Sequence, residues 1–144
     1  VTLKFLLDTS IVSVPMAKVP DAEVIRRIEA HPLECAIASL VWHELAYGCA
    51  RLPAGRKRLA LEAYLNEVVR PSFPILPYDE QAALWHGVER ARLESVGTPA
   101  PFVDGQIAAI ARTNGLILVT ANPKDFSRFA GLEVQDWTRR KRRS

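Results

Sequence analysis

The chain has 144 residues, of which 49% are hydrophobic and 24% charged, a balance that fits one soluble globular domain with a buried core and excludes a disordered polymer. No apolar run reaches the roughly 20 residues that span a bilayer, and the residues ahead of Asp8 carry no secretory-signal pattern. The formal charge of +3 comes from the end of the chain: setting aside Arg139, Arg140, Lys141, Arg142 and Arg143 from the 19 basic residues leaves 14 against 16 acidic ones, so the reading is a slightly acidic domain over residues 1–137 and a basic tail over 138–144.

Residues 3–8 read as a first, central strand that ends at the turn signal Asp8-Thr9-Ser10. A short helical turn around 10–16 follows, stopped by Pro15 and Pro20. Val24, Ile25 and Ile28 recur at helical spacing, which predicts an amphipathic helix over 21–30 with Asp21 near its start. Residues 35–39 form a second short strand, with Ser39 as the expected N-cap of a helix over about 41–50. Pro53-Ala54-Gly55 marks a joint before a long helix at about 55–69, with Leu59, Leu61, Leu65, Val68 and Val69 as its apolar set. Residues 73–76, between Pro71 and Pro77, read as a short strand. The stretch 79–95 is helical through Ala82, Ala83, Leu84, Val88 and Leu93. After a loop at 97–101, residues 102–113 are helical again, with Val103, Ile107, Ile110 and Ala111 on one side. Residues 116–120 are the clearest strand, and a turn at 123–129 leads to an edge strand near 133–137.

Mostly apolar strands alternating with helices predict an α/β fold: a three-layer α/β/α domain around a central, mostly parallel sheet of four to five strands. Cys35 and Cys49 form no CxxC pair, which suits a reduced, cytoplasmic setting with both as buried small hydrophobes. His31, His43 and His86 are not needed as catalysts, and Trp42, Trp85 and Trp137 read as core or interface residues.

In a parallel sheet, strand C-termini and the N-termini of the following helices share one edge, where ligands bind. Asp8 ends the first strand. Glu44 lies early in the helix after the second. Asp104 lies in the first turn of the helix feeding the 116–120 strand, and Asn122 lies just past Thr120. Each has a plainer explanation: Asp8 as a helix cap, Glu44 as a solvated helix residue, Asp104-Gly105 as a turn and Asn122-Pro123 as a turn-former. Their convergence on one edge is what favours chemistry. Crowded carboxylates repel, and a divalent cation removes that penalty. Oxygen donors without clustered Cys or His suit Mg²⁺ or Mn²⁺ over Zn²⁺. Such an ion lowers the pKa of a bound water and offsets charge on a phosphoryl group. A phosphatase of the haloacid-dehalogenase kind also begins with a strand-end Asp, but it needs a second Asp where this chain has Ser10.

Four segments carry a resemblance: Leu6-Leu7-Asp8-Thr9-Ser10, the run from Ser39 to Gly48 around Trp42-His43-Glu44, Asp104-Gly105-Gln106-Ile107-Ala108, and Val119-Thr120-Ala121-Asn122-Pro123-Lys124-Asp125-Phe126. In order and spacing the chain resembles a PIN domain, and within that group the VapC-type toxins of bacterial toxin–antitoxin pairs. The resemblance implies a Mg²⁺- or Mn²⁺-dependent endoribonuclease that cuts a structured RNA (tRNA or rRNA). It also implies a homodimer restrained by a cognate VapB-type antitoxin. Asp8, Glu44 and Asp104 fall on the family's catalytic acids, with Asp8 and Asp104 as metal ligands. Asn122, Ser10 and Thr120 would support them, and Asp125 is a less favoured fourth acid. Arg51, Arg56, Lys57 and Arg58 are weaker candidates for RNA contact. The alternative reading is a PIN-like module that binds nucleic acid or antitoxin without cutting.

Overall fold

The computed structural model describes residues 2–139. Five strands, β1 (Phe5–Leu7), β2 (Cys35–Ala38), β3 (Ile75–Leu76), β4 (Ile117–Val119) and β5 (Val134–Gln135), form one sheet in the order β3-β2-β1-β4-β5. Every pairing is parallel. Central β1 is flanked by β2 (Phe5 opposite Cys35) and by β4 (Leu7 opposite Val119). All of its residues are buried, as a strand covered on both faces requires.

The helices are α1 (Thr9–Val12), α2 (Ala22–Ala30), α3 (Ser39–Ala50), α4 (Arg56–Tyr64), α5 (Arg70–Ser72), α6 (Glu80–Ser95) and α7 (Phe102–Thr113). α6 and α7 pack against each other and return the chain from β3, at one edge of the sheet, to β4 on the far side of β1. Side-chain carboxylates start two of them: Asp21 accepts from the backbone N–H of Glu23 and Val24, and Asp79 from that of Ala82. Among the described residues no helix is long and apolar enough to cross a membrane.

Several local expectations change. Ser39 is the first residue of α3, and Ala38 occupies the cap position. The expected long helix runs from α4 through a π-helical stretch, Leu65–Val69, into α5. Leu65 and Val69, the two ends of that stretch, are buried, while Leu59 and Val68 face solvent. In α6 the inward stripe is Ala82, His86, Glu89 and Leu93, leaving Leu84 and Val88 exposed. Two residues along a helix is about 200° of rotation, so residues 84 and 88 stand opposite 82 and 86.

The buried polar members of that stripe are satisfied. Tyr78 Oη lies 3.1 Å from His86 Nδ1. Glu89 takes two 2.7 Å bonds from Arg92 and one of 2.6 Å from the Ala130 N–H. Both cysteines are buried and unpaired, and burial pushes the Cys35 thiol up to about 12, which makes it inert.

Trp137 is fully buried against Phe5 and His31, and the Arg139 N–H donates to Asp21 Oδ2 at 2.9 Å. The rest of the basic tail, Arg140, Lys141, Arg142 and Arg143, lies outside the described residues.

Candidate active site

The chain moves from β1 outward to β3 and then jumps back over β1 to β4. The ends of β1 and β4 therefore form a topological switch point, where a crevice opens at the carboxyl edge of a parallel sheet. Asp8 is the first residue past β1 and Thr120 the first past β4. The Asp8 N–H bonds the Val119 carbonyl at 2.9 Å, so the strand pairing itself fixes where Asp8 stands. Asp8 occupies the cap position of α1, but its carboxylate caps nothing.

That carboxylate is held by hydroxyls instead. Thr120 Oγ1 donates to Asp8 Oδ2 at 2.8 Å, and Ser10 Oγ donates to the same oxygen at 3.2 Å. Each hydroxyl is aimed by a backbone donor from the β4 end: Ala121 N–H to Ser10 Oγ at 3.0 Å, and Asn122 N–H to Thr120 Oγ1 at 3.1 Å. Thr120 is fully buried, and Asp8 and Ser10 are half-buried. Glu44, on the exposed side of α3, is tied in by Thr9 Oγ1, which donates to Glu44 Oε2 at 3.0 Å.

Asp104 lies in the first turn of α7, half-buried. Burial pushes its pKa up to about 6. The charges of Asp125, Asp8 and Glu44 push the same way, and the Arg128 guanidinium pulls against them. Four acids from four parts of the chain thus share one field, with a single arginine opposing them at Asp104. Among the described residues, no three His, Cys, Asp or Glu side chains close around one point tightly enough to hold a metal ion as they stand. The acids form an open cluster, not a cage.

Asn122 contributes its backbone N–H to the network, while its carboxamide caps nothing. Asp125 is more prominent than its sequence position suggests: of the three neighbouring acids it acts most strongly on Asp104. It sits in a 3₁₀ turn, Pro123–Phe126, where residues three apart eclipse one another.

A cavity of about 760 Å³ runs along α3 beside the acids, lined by Leu40, His43, Glu44, Tyr47, Arg51 and Val103 among others. Of the four basic residues named from the sequence, only Arg51 reaches it. Arg58 bonds the Leu52 carbonyl, approaches Glu62 and lines a separate hollow. Arg56 and Lys57 are exposed at the start of α4.

Sequence reasoning passed over Thr9, Arg128 and the pairing of Gly105 with His86. A Cβ built on Gly105 would stand 2.2 Å from His86 Nε2, so the ring packs directly beneath the backbone that carries Asp104. The Asp-Gly pair was the available signal, and it marks close approach here, not a turn.

The profile of the PIN domain matches residues 5–132. The tRNA(fMet)-specific endonuclease VapC of Shigella flexneri is 35% identical over 137 residues, covering 94% of this chain and 99% of that protein. The protein of the same name from Salmonella typhimurium is 33% identical over 136 residues, with 94% and 98% covered. Among solved structures, FitAcB from Neisseria gonorrhoeae superposes with a TM-score of 0.83 at 30% identity, covering 90% of this chain and 95% of that one. DNA-bound VapBC from Salmonella typhimurium gives 0.79, also at 30% identity, with 94% and 98% covered.

Proposed function

This chain belongs to the PIN-domain family, and from that premise we propose that it is a metal-dependent endoribonuclease, the toxin of a toxin–antitoxin pair. Its substrate in this reading is a structured RNA, with transfer RNA first among candidates because the relatives at 35% and 33% identity are named for cutting one. Its restraining partner is a small VapB-type antitoxin, by analogy with the solved VapBC and FitAcB assemblies. The observation that carries the reading is Asp104. Burial raises its pKa to about 6, and three other carboxylates from separate parts of the chain add to the rise at the switch-point crevice; nothing in the core requires that crowding.

The donor set fits Mg²⁺ or Mn²⁺. It is all oxygen, and its open spacing suits an ion that takes one or two carboxylates and keeps several waters. Asp8 and Asp104 would hold it. Both hydroxyl bonds to Asp8 fall on Oδ2, which leaves Oδ1 for a ligand. A bound cation supplies a water of lowered pKa and offsets charge on the phosphoryl oxygens.

The protein's own share is positioning. Thr120 and Ser10 fix the Asp8 carboxylate. Thr9 holds the Glu44 carboxylate, whose free oxygen can orient the attacking water. Asn122 and Asp125 complete the rim. In-line attack of water on phosphorus then leaves a 5′-phosphate and a 3′-hydroxyl.

The test is incubation of purified, antitoxin-free protein with total RNA and Mg²⁺, followed by sequencing of the new 5′ ends. Discrete new ends that vanish with EDTA and with Asp8→Asn or Asp104→Asn are expected. Absence of cleavage, or cleavage unchanged by both substitutions, would overturn the reading in favour of a binding module.

A further inference from the structure

The cavity along α3 has contents that the acid cluster does not explain. Glu44 borders it, and one wall is a face of the helix, His43, Tyr47 and Arg51 at successive turns. Tyr47 is 60% exposed, so its ring is available to the cavity that it lines. The Arg51 guanidinium lies over that ring, 5.5 Å from its centre. Gly48 leaves the floor open: a Cβ built there meets nothing within 4 Å.

A flat ring and a flat cation on one wall form a stacking surface that also carries a phosphate donor. Guanidinium groups bind phosphate while stacked on aromatics, and base–aromatic stacking tolerates any base because every base has a π-face. Proteins that read RNA in sequence engage unstacked bases in this way. A nucleotide fits easily within about 760 Å³. Charge agrees with this occupant, because Arg51 stands about two turns along α3 from Glu44 and offers a polyanion a cation beyond the acids.

The geometry points to this cavity as the subsite for one unstacked nucleotide flanking the scissile phosphate, its base stacked on the Tyr47–Arg51 pair and its phosphate on Arg51. This rests on the endoribonuclease reading and names how that same site grips its substrate. Tyr47 and Arg51 are then binding residues, distinct from the acids that act on phosphorus.

The experiment uses the full chain with an RNA that it cuts at a mapped position, and compares wild type with Tyr47→Ala, Tyr47→Phe and Arg51→Gln. Tyr47→Ala should raise KM about tenfold or more with kcat within threefold. Tyr47→Phe should stay within twofold of wild type on both. Arg51→Gln should raise KM and reduce the slope of log affinity against log salt by about 1. Tyr47 and Arg51 are exposed, so melting curves should match wild type.

KM unchanged within twofold in both Tyr47→Ala and Arg51→Gln overturns the subsite. If those variants keep their cleavage constants but escape inhibition by a VapB-type antitoxin, the cavity is a peptide site and the proposal falls. If wild type cuts no RNA at all, the nuclease reading fails first, a result that no Tyr47 variant can mimic.

Discussion

Thr120 Oγ1 and Asp8 Oδ2 stand 2.8 Å apart across the β1–β4 seam, a bond between residues 112 positions apart in the chain. It sets the orientation of a carboxylate that strand pairing has already placed. Replacing Thr120 with the isosteric Val should cut cleavage about 10- to 100-fold, the usual cost of losing a partner that orients a ligating group. It should also lower the melting temperature by a few degrees, because the Asn122 N–H loses its acceptor. Thr120→Ser should keep most activity. Initial-rate assays and melting curves check both.

The sign of the pH dependence at Asp104 follows from its raised pKa. Its carboxyl is protonated more readily in the folded chain, so metal-free protein gains stability as pH falls from about 6 toward the ordinary aspartate value near 4. The contribution is lost as pH rises through that window. In EDTA at pH 7.5, Asp104→Asn should therefore be more stable than wild type by roughly 1 kcal/mol after allowance for solvent screening. The difference should close below about pH 4. A wild type equal to the variant at pH 7.5 would contradict it.

Cation binding should reverse that deficit. Mn²⁺ or Mg²⁺ at one hundred times Kd stabilises by about 2.7 kcal/mol, which should raise the melting temperature of wild type. Asp8→Asn and Asp104→Asn should respond only weakly. Titrating the ion in differential scanning fluorimetry reads this without RNA.

Gly105 admits no side chain, because an added Cβ meets His86 Nε2 at 2.2 Å and Cδ2 at 2.7 Å. Gly105→Ala should cost about 1–3 kcal/mol through overpacking and should lower cleavage by displacing the turn that bears Asp104. Combining it with His86→Ala should recover part of both losses. A double-mutant cycle measures the coupling.

His86 should also set an acid limit. Burial, and then the Arg90 charge, hold its pKa below the ordinary histidine value, so its stabilising contribution is present above about 6.5 and fades as pH falls. This opposes the Asp104 trend. His86→Gln should flatten the acid side of the melting-temperature profile, whereas Asp104→Asn should steepen it.

The alternation of apolar strands and amphipathic helices was enough to read the α/β class and the order of elements, because periodicity and Pro or Gly punctuation are local signals. Asp8, Glu44 and Asp104 were legible through chain topology, since strand ends and helix starts share an edge. The inner face of α6 was not, because His86 and Glu89 are polar residues whose burial depends on partners, Tyr78, Arg92 and the Ala130 N–H, that no local pattern reveals. Asp125 was undervalued because its effect on Asp104 arises between the turn after β4 and the start of α7, elements that no local pattern brings together. Likewise, the isolation of Arg58 from the acids follows from its bonds to Leu52 and Glu62, which spacing cannot foretell.

The long span between Asp8 and Thr120 has a consequence for biosynthesis. On the ribosome Asp8 emerges 112 residues before Thr120, and until then it lacks the hydroxyl that steadies it. The cutting edge thus comes into being only when β4 docks beside β1, and a chain translated short of that strand carries no working scissors.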